Sequence, residues 1–168
     1  MGFFVTKLVV IIVGSIVHIF FDHSPRRRTT PRVLELLLVW VLAAGGVFTI
    51  IGGIEHLGPN STDVAEDIGF APSFFQWEVG WADVAVGSLG VLCIWNRDSF
   101  MTATVIAVAL SMGGDAIGHV MQYVSHDNTA TDNAWGIVNA VIPIAAVTLL
   151  FAYRRSDDRV VTTSQPGP

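Results

Sequence analysis

Five stretches of this chain are apolar over lengths that suit a lipid bilayer, and they fix most of what the chain can become. They run over about 3–21, 33–55, 79–95, 100–122 and 136–153. A membrane-spanning helix needs about 20 mostly apolar residues, within a range of about 17–25. In hydrocarbon every backbone N–H and C=O must be satisfied internally, so such stretches are read as helices. The predicted fold is therefore all-α: a polytopic membrane bundle of five transmembrane helices, with helices two to five as a four-helix core and the first at its edge. Only 14% of the 168 residues are charged, against about 25% in a soluble domain. The transmembrane domain fills residues 1–155, and the polar stretch 156–168 reads as a disordered tail.

The third stretch is the least apolar, because Glu78 and Asp83 lie at its start. The first stretch resembles a signal peptide in length. Its flanks differ: Arg26, Arg27 and Arg28 follow it and no small-residue cleavage site is visible, so it reads as an uncleaved anchor.

Orientation comes from the nine Lys and Arg residues. With five spans, Arg26, Arg27, Arg28, Arg32, Arg97, Arg154, Arg155 and Arg159 fall on one side and Lys7 alone on the other. Basic residues favour the cytoplasmic side. The expectation is a multi-pass protein of the cell (plasma) membrane with its N-terminus outside and its C-terminus in the cytoplasm. The loops 56–77 and 123–135 are then external. Asn60-Ser61-Thr62 in the first of them matches a glycosylation sequon, a weak signal at this length.

Ionisable groups inside the bilayer are costly and tend to mark functional positions. Six gather toward the outer ends of the apolar stretches: Glu55, His56, Glu78, Asp83, Asp115 and His119. Asp115 and His119 are four apart and share a helix face, with Gln122 three further on. Gly113, Gly114 and Gly118 flank that face, and small residues let membrane helices approach closely. The face is predicted to pack inward. Asn139 falls at a similar depth, and Gly45, Gly46, Gly52, Gly53, Gly87 and Gly90 offer further close contacts. Asp63–Ile68 in the first external loop is predicted to form a short helix ended by Gly69. Phe70, Phe74, Phe75, Trp77 and Trp81 then crowd the interface like a lid.

These residues support several chemistries. A divalent transition metal suits carboxylate and imidazole, with Glu78, Asp83, Asp115 and His119 as the ligands and Glu55, His56 and Gln122 as further candidates. The di-iron Glu-x-x-His pairing is missing. His56 and His119 share a leaflet, as a b-type haem would need, but the surrounding carboxylates fit that poorly. A small ligand, a proton-coupled carrier pathway, or a purely structural network in an accessory subunit of a membrane complex are the alternatives. The partners expected are the lipid bilayer and either further copies or a larger membrane complex. Nothing points to nucleic acid, and no Gly-x-Ser-x-Gly elbow marks a nucleophile, so no catalytic residue can be assigned. Cys93, the sole cysteine, sits among Val91, Leu92 and Ile94 and reads as a buried small hydrophobe. Glu35 near the start of the second helix suits the positive end of the helix dipole, beside Arg32.

The stretch from Glu55 to Gly90, with Gly113-Gly114-Asp115-Ala116-Ile117-Gly118-His119, resembles a family of small prokaryotic integral membrane proteins and is similar in overall look to the DoxX-like group of compact helical bundles. The resemblance implies the fold and no particular activity.

Overall fold

The computed structural model describes the backbone of residues 2–164 and the side chains of residues 2–157. Seven helices account for nearly all of it: α1 (Gly2–Phe21), α2 (Thr30–Leu57), α3 (Ser61–Asp67), α4 (Phe75–Leu92), α5 (Ser99–Ser125), α6 (Thr131–Val138) and α7 (Val141–Ser164). The fold is all-α, as expected. Four segments are long and apolar enough to cross a membrane: α1, α2, α5 and the run Thr131–Asp157. The 18-residue α4 does not join them, because Gln76, Glu78 and Asp83 dilute its first half. Helix α7 continues to Ser164, into the stretch read as a disordered tail; residues 165–168 of that tail lie outside the described residues.

Several boundaries follow from single residues. Pro31 sits in the first turn of α2, where a missing N–H removes no helical bond. Pro143 lacks the N–H that would bond to Asn139, and its ring crowds that carbonyl. The helix accordingly breaks at Asn139–Ala140, and the Asn139 carbonyl accepts from Ile142 N instead, at 3.0 Å. Asp98 turns the chain between α4 and α5 with φ 57° and ψ −116°, a positive-φ conformation that residues other than glycine rarely adopt.

Helix α2 lies at the centre. Leu38, Val39, Val41 and Leu42 on α2 are buried with Met101, Val105 and Val108 of α5 and with Ile142 and Ala146 of α7. Cys93 is fully buried and unpaired. The α2–α4 pair is held backbone to backbone. A Cβ at Gly46 would strike the Gly87 carbonyl, one at Gly90 the Leu42 carbonyl, and one at Gly53 would come within 2.6 Å of the Gly80 carbonyl. Four of the six glycines singled out on these two helices, Gly46, Gly53, Gly87 and Gly90, make this seam. Gly52 meets nothing and Gly45 only Ile142 at 3.8 Å.

Helix α1 leans on the outside of this core, with Val9, Ile12, Ile16 and Phe20 uncovered. Its inward stripe is Phe4, Lys7, Ile11 and Ser15, spaced three and four residues apart as one helix face requires. That periodicity carries a lysine into the bundle.

Candidate functional site: an acidic cavity over a buried lysine

The two ends of the bundle differ in chemistry. One end collects the start of α1, the end of α2, the start of α4, the end of α5, and α3 and α6. There a cavity of about 440 Å³ opens between α2, α3, α4 and α5. Its polar lining is His56, Ser73, Gln76, Asp83, Ser111, Asp115 and His119, and Phe70 and Phe75 supply aromatic walls. A smaller adjoining hollow of about 260 Å³ shares Phe70, Asp115 and His119 and adds Gln122.

Helix α3 and Gly69 shape one wall. Gly69 turns the chain with φ +74°, a conformation glycine adopts without strain. The short helix and its glycine stop match the sequence expectation. Asn128 Nδ2 then donates to the Ile68 carbonyl at 2.9 Å, clamping this turn to the loop after α5.

His119 is fixed by a chain of amides. Asn133 is fully buried. Its Nδ2 donates to the carbonyls of Asn128 at 3.0 Å and of His119 at 3.3 Å. Oδ1 is thus left as the acceptor, and His119 Nδ1 lies 2.8 Å from it, which puts the imidazole proton on Nδ1. The ring rests flat on Gly136 of α6, where a Cβ would overlap it. Nε2 is left facing Asp115 Oδ1 at 3.6 Å, longer than a hydrogen bond but within ionic range.

The residue the sequence did not single out for this site is Lys7. It is 3% exposed. Its Nζ donates to Asn139 Oδ1 at 2.7 Å and sits 4.8 Å from the centre of the Phe4 ring, a cation–π distance. Asp83 and Asp115 supply the attractive charges that act on it. Counting cations alone made Lys7 a flanking residue; the i, i+3, i+4 stripe of α1 was the signal that turns it inward. Asn139 does lie in the polar layer, as expected, and Pro143 is why: the helix break sets its side chain toward α1.

The proposed ligand set does not assemble as a whole. Glu78 and Glu55 are exposed and line neither cavity. Asp83, Asp115, His119 and His56 do share the larger cavity, and Gln122 borders the smaller. Among the described residues no group of three or more His, Cys, Asp or Glu side chains is close enough to hold a metal ion. The expected divalent metal site at Glu78, Asp83, Asp115 and His119 therefore lacks support: Glu78 is exposed and lines neither cavity, and Asp83, Asp115 and His119 do not by themselves come close enough to share an ion. The small-residue face of α5 also departs from expectation. Nothing lies within 4 Å of a Cβ at Gly113, Gly114 or Gly118; the inward packing at this level comes from Ala116 and His119 instead. In the expected aromatic lid, Phe70 and Phe75 reach the cavity, whereas Phe74, Trp77 and Trp81 form an uncovered ladder along α4.

The opposite end is an arginine cluster around one buried carboxylate. Glu35 Oε2 lies 3.0 Å from Arg32 and 3.6 Å from Arg26, and its Oε1 3.6 Å from Arg97. Arg32 also grips Asp22, Nε to Oδ2 at 3.0 Å. That guanidinium, with the Ser24 N–H and hydroxyl, holds the Asp22 carboxyl well below the usual carboxylate range. Arg154 ties α7 to the start of α5 through the Asp98 carbonyl and the Thr102 hydroxyl. Glu35 is thus a junction of three arginines, a larger role than a helix-dipole partner.

Residues 1–159 match the model of a family described as a family of unknown function (DUF6790). No curated protein and no solved structure matches the chain, and nothing in these comparisons points to the DoxX-like group.

Proposed function

We propose that this chain, which belongs to the DUF6790 family of unknown function, is a five-span plasma-membrane protein whose acidic outer end binds a small amine-bearing solute. Helix α4 serves as the fifth span. Its 18 residues rise about 27 Å, close to the thickness of the hydrocarbon layer, and glycine contacts with α2 run along it from Gly80 to Gly90. An odd number of spans puts Arg26, Arg32, Arg97 and Arg154 on one side, which the bias of basic residues makes cytoplasmic. The N-terminus and the cavity are then outside.

The observation that carries the ligand reading is the pairing of two carboxylates on one cavity with a single buried ammonium on which both their charges act. Lys7 answers one of the charges of Asp83 and Asp115 and leaves the other for a guest. Phe70 and Phe75 add ring faces, which attract cations. Such a site prefers a compact organic cation over an anion.

The test is calorimetric titration of the detergent-purified protein with n-butylamine, with butyrate and n-butanol as matched controls. Heat of binding with the amine alone, lost in Asp83→Asn and Asp115→Asn, supports the reading. Equal responses to all three probes, or none, would sink it.

A second reading, an accessory subunit of a larger membrane complex, is favoured by the uncovered face of α5, where Leu110, Ile117 and Met121 join the open glycines. A proton-coupled carrier is disfavoured: between the acidic and arginine ends α2 and α5 pack Leu38, Val41, Leu42, Val105 and Val108, none of which passes a proton.

A further inference from the structure

At the arginine end a second hollow, of about 400 Å³, runs up the side of the bundle between α1, α2 and the end of α4. Its walls are apolar: Val10 from α1, Val39, Ala43, Val47 and Phe48 from α2, and Ile94 after α4. The Trp40 ring closes it by resting against Gly14, where a Cβ would overlap the ring. The two polar groups that line it are His18 and Arg97.

Both present donors. Trp40 Nε1 donates to His18 Nδ1 at 3.1 Å. An accepting Nδ1 leaves the imidazole proton on Nε2, so His18 is a donor on its other side. Arg97 spends one nitrogen on the Cys93 carbonyl and directs Nε toward Glu35 at 3.6 Å. Among the described residues nothing pairs with its Nη2. Its charge is also incompletely answered. Arg32 has Asp22 besides Glu35, and Arg26 has Asp157, whereas among the described residues Arg97 has only a share of Glu35.

An apolar groove on a membrane-facing surface, headed by a guanidinium and an imidazole N–H, has the form of an acyl chain beneath a phosphate. We propose that this groove holds one phospholipid with an anionic headgroup, drawn from the leaflet on the arginine side. Arg97 and His18 take the phosphate oxygens and Val10, Ala43 and Phe48 contact a chain. This site is separate from the acidic cavity and does not depend on what that cavity binds.

The test reconstitutes the full-length protein in nanodiscs of equal phosphatidylcholine and phosphatidylglycerol, extracts it into mild detergent, and counts retained lipid by native mass spectrometry. Wild type should keep one phosphatidylglycerol per chain, favoured about fivefold over phosphatidylcholine. Arg97→Gln should bring the two lipids to parity, and Arg97→Lys should retain the preference. Val47→Trp, at an uncovered edge of the groove, should displace lipid of either kind and leave the Glu35 cluster intact. Excess inorganic phosphate should not release the lipid, since it has no chain to bury. Parity in wild type, no retained lipid, or an unchanged count in Val47→Trp overturns the proposal. Circular dichroism verifies that each variant is folded, and Val47→Trp decides the matter if Arg97→Gln does not fold.

Discussion

Lys7 and Asn139 meet across 132 residues of sequence, the ammonium donating to the amide oxygen at 2.7 Å. The contact joins α1 to the break between α6 and α7, within reach of the charges of Asp83 and Asp115. It is a structural tie and, on the proposed reading, also the resident positive charge beside the site.

Those two roles separate on substitution. Lys7→Met removes the donor from a half-buried amide and the counter-charge from Asp83 and Asp115. It should lower stability by about 1–3 kcal/mol, the usual cost of an unpaired buried polar group. It should also tighten amine binding, because a like charge has gone. Thermal melting and calorimetry on the same sample measure both, and loss of amine binding in a folded Lys7→Met protein contradicts the reading of Lys7 as the resident cation.

The α2–α4 seam predicts a contrast between glycines. Gly46→Ala drives a methyl into the Gly87 carbonyl and should cost about 1–3 kcal/mol. Gly113→Ala meets open space and should be neutral or slightly stabilising, since alanine is the better helix former. Equal melting temperatures for the two variants would show that the seam is not close-packed.

Gly136→Ala tests the seating of His119. The added methyl takes the space of the imidazole ring, so the ring must leave Asn133 or α6 must move. The histidine Nδ1–H signal in an NMR spectrum of labelled protein should shift or vanish, with stability falling by about 1–3 kcal/mol. An unmoved signal would place the ring elsewhere.

Much of this architecture is legible in the chain itself, and the exceptions share a cause. Apolar length exposes α1, α2 and α5, and the stop at Gly69 exposes α3. Asp83, Asp115 and His119 are found because charge in an apolar stretch is conspicuous. Lys7 escapes notice because a lone cation near a chain start looks like a flank, and only its place in the stripe with Phe4 and Ile11 says otherwise. Asn133 escapes because its importance lies in three hydrogen bonds to Asn128 and His119, which only the folding of the loop after α5 brings to it. Gly113 and Gly118 mislead because small residues permit close packing without requiring it. Glu78 misleads because depth in the membrane says nothing of which side of α4 a carboxylate occupies.

Acid should loosen the arginine end in a defined way. Arg32 lowers the Asp22 carboxyl in the folded protein relative to its unfolded value of about 3.9. The stabilisation is therefore fully present above that value and is lost as pH falls through the lower, folded one. Melting curves of wild type and Asp22→Asn should be separated by a constant gap from about pH 7 to about pH 5, closing below about pH 4. A gap that widened in acid would contradict the Arg32–Asp22 contact.

The glycine seam between α2 and α4 bears on how the chain is made. A segment carrying Gln76, Glu78 and Asp83 gains little by entering lipid alone. Its backbone fits α2 along one strip, and α2 is synthesised first and is uncharged from Leu36 to Ile54. On the five-span reading α2 acts as a template for its neighbour: the nascent fourth helix enters the bilayer against a protein surface already waiting there. Substitutions in the seam should then appear as failed biogenesis, with α4 left on the wrong side of the membrane and the chain cleared by quality control, before any loss of function in mature protein can be seen.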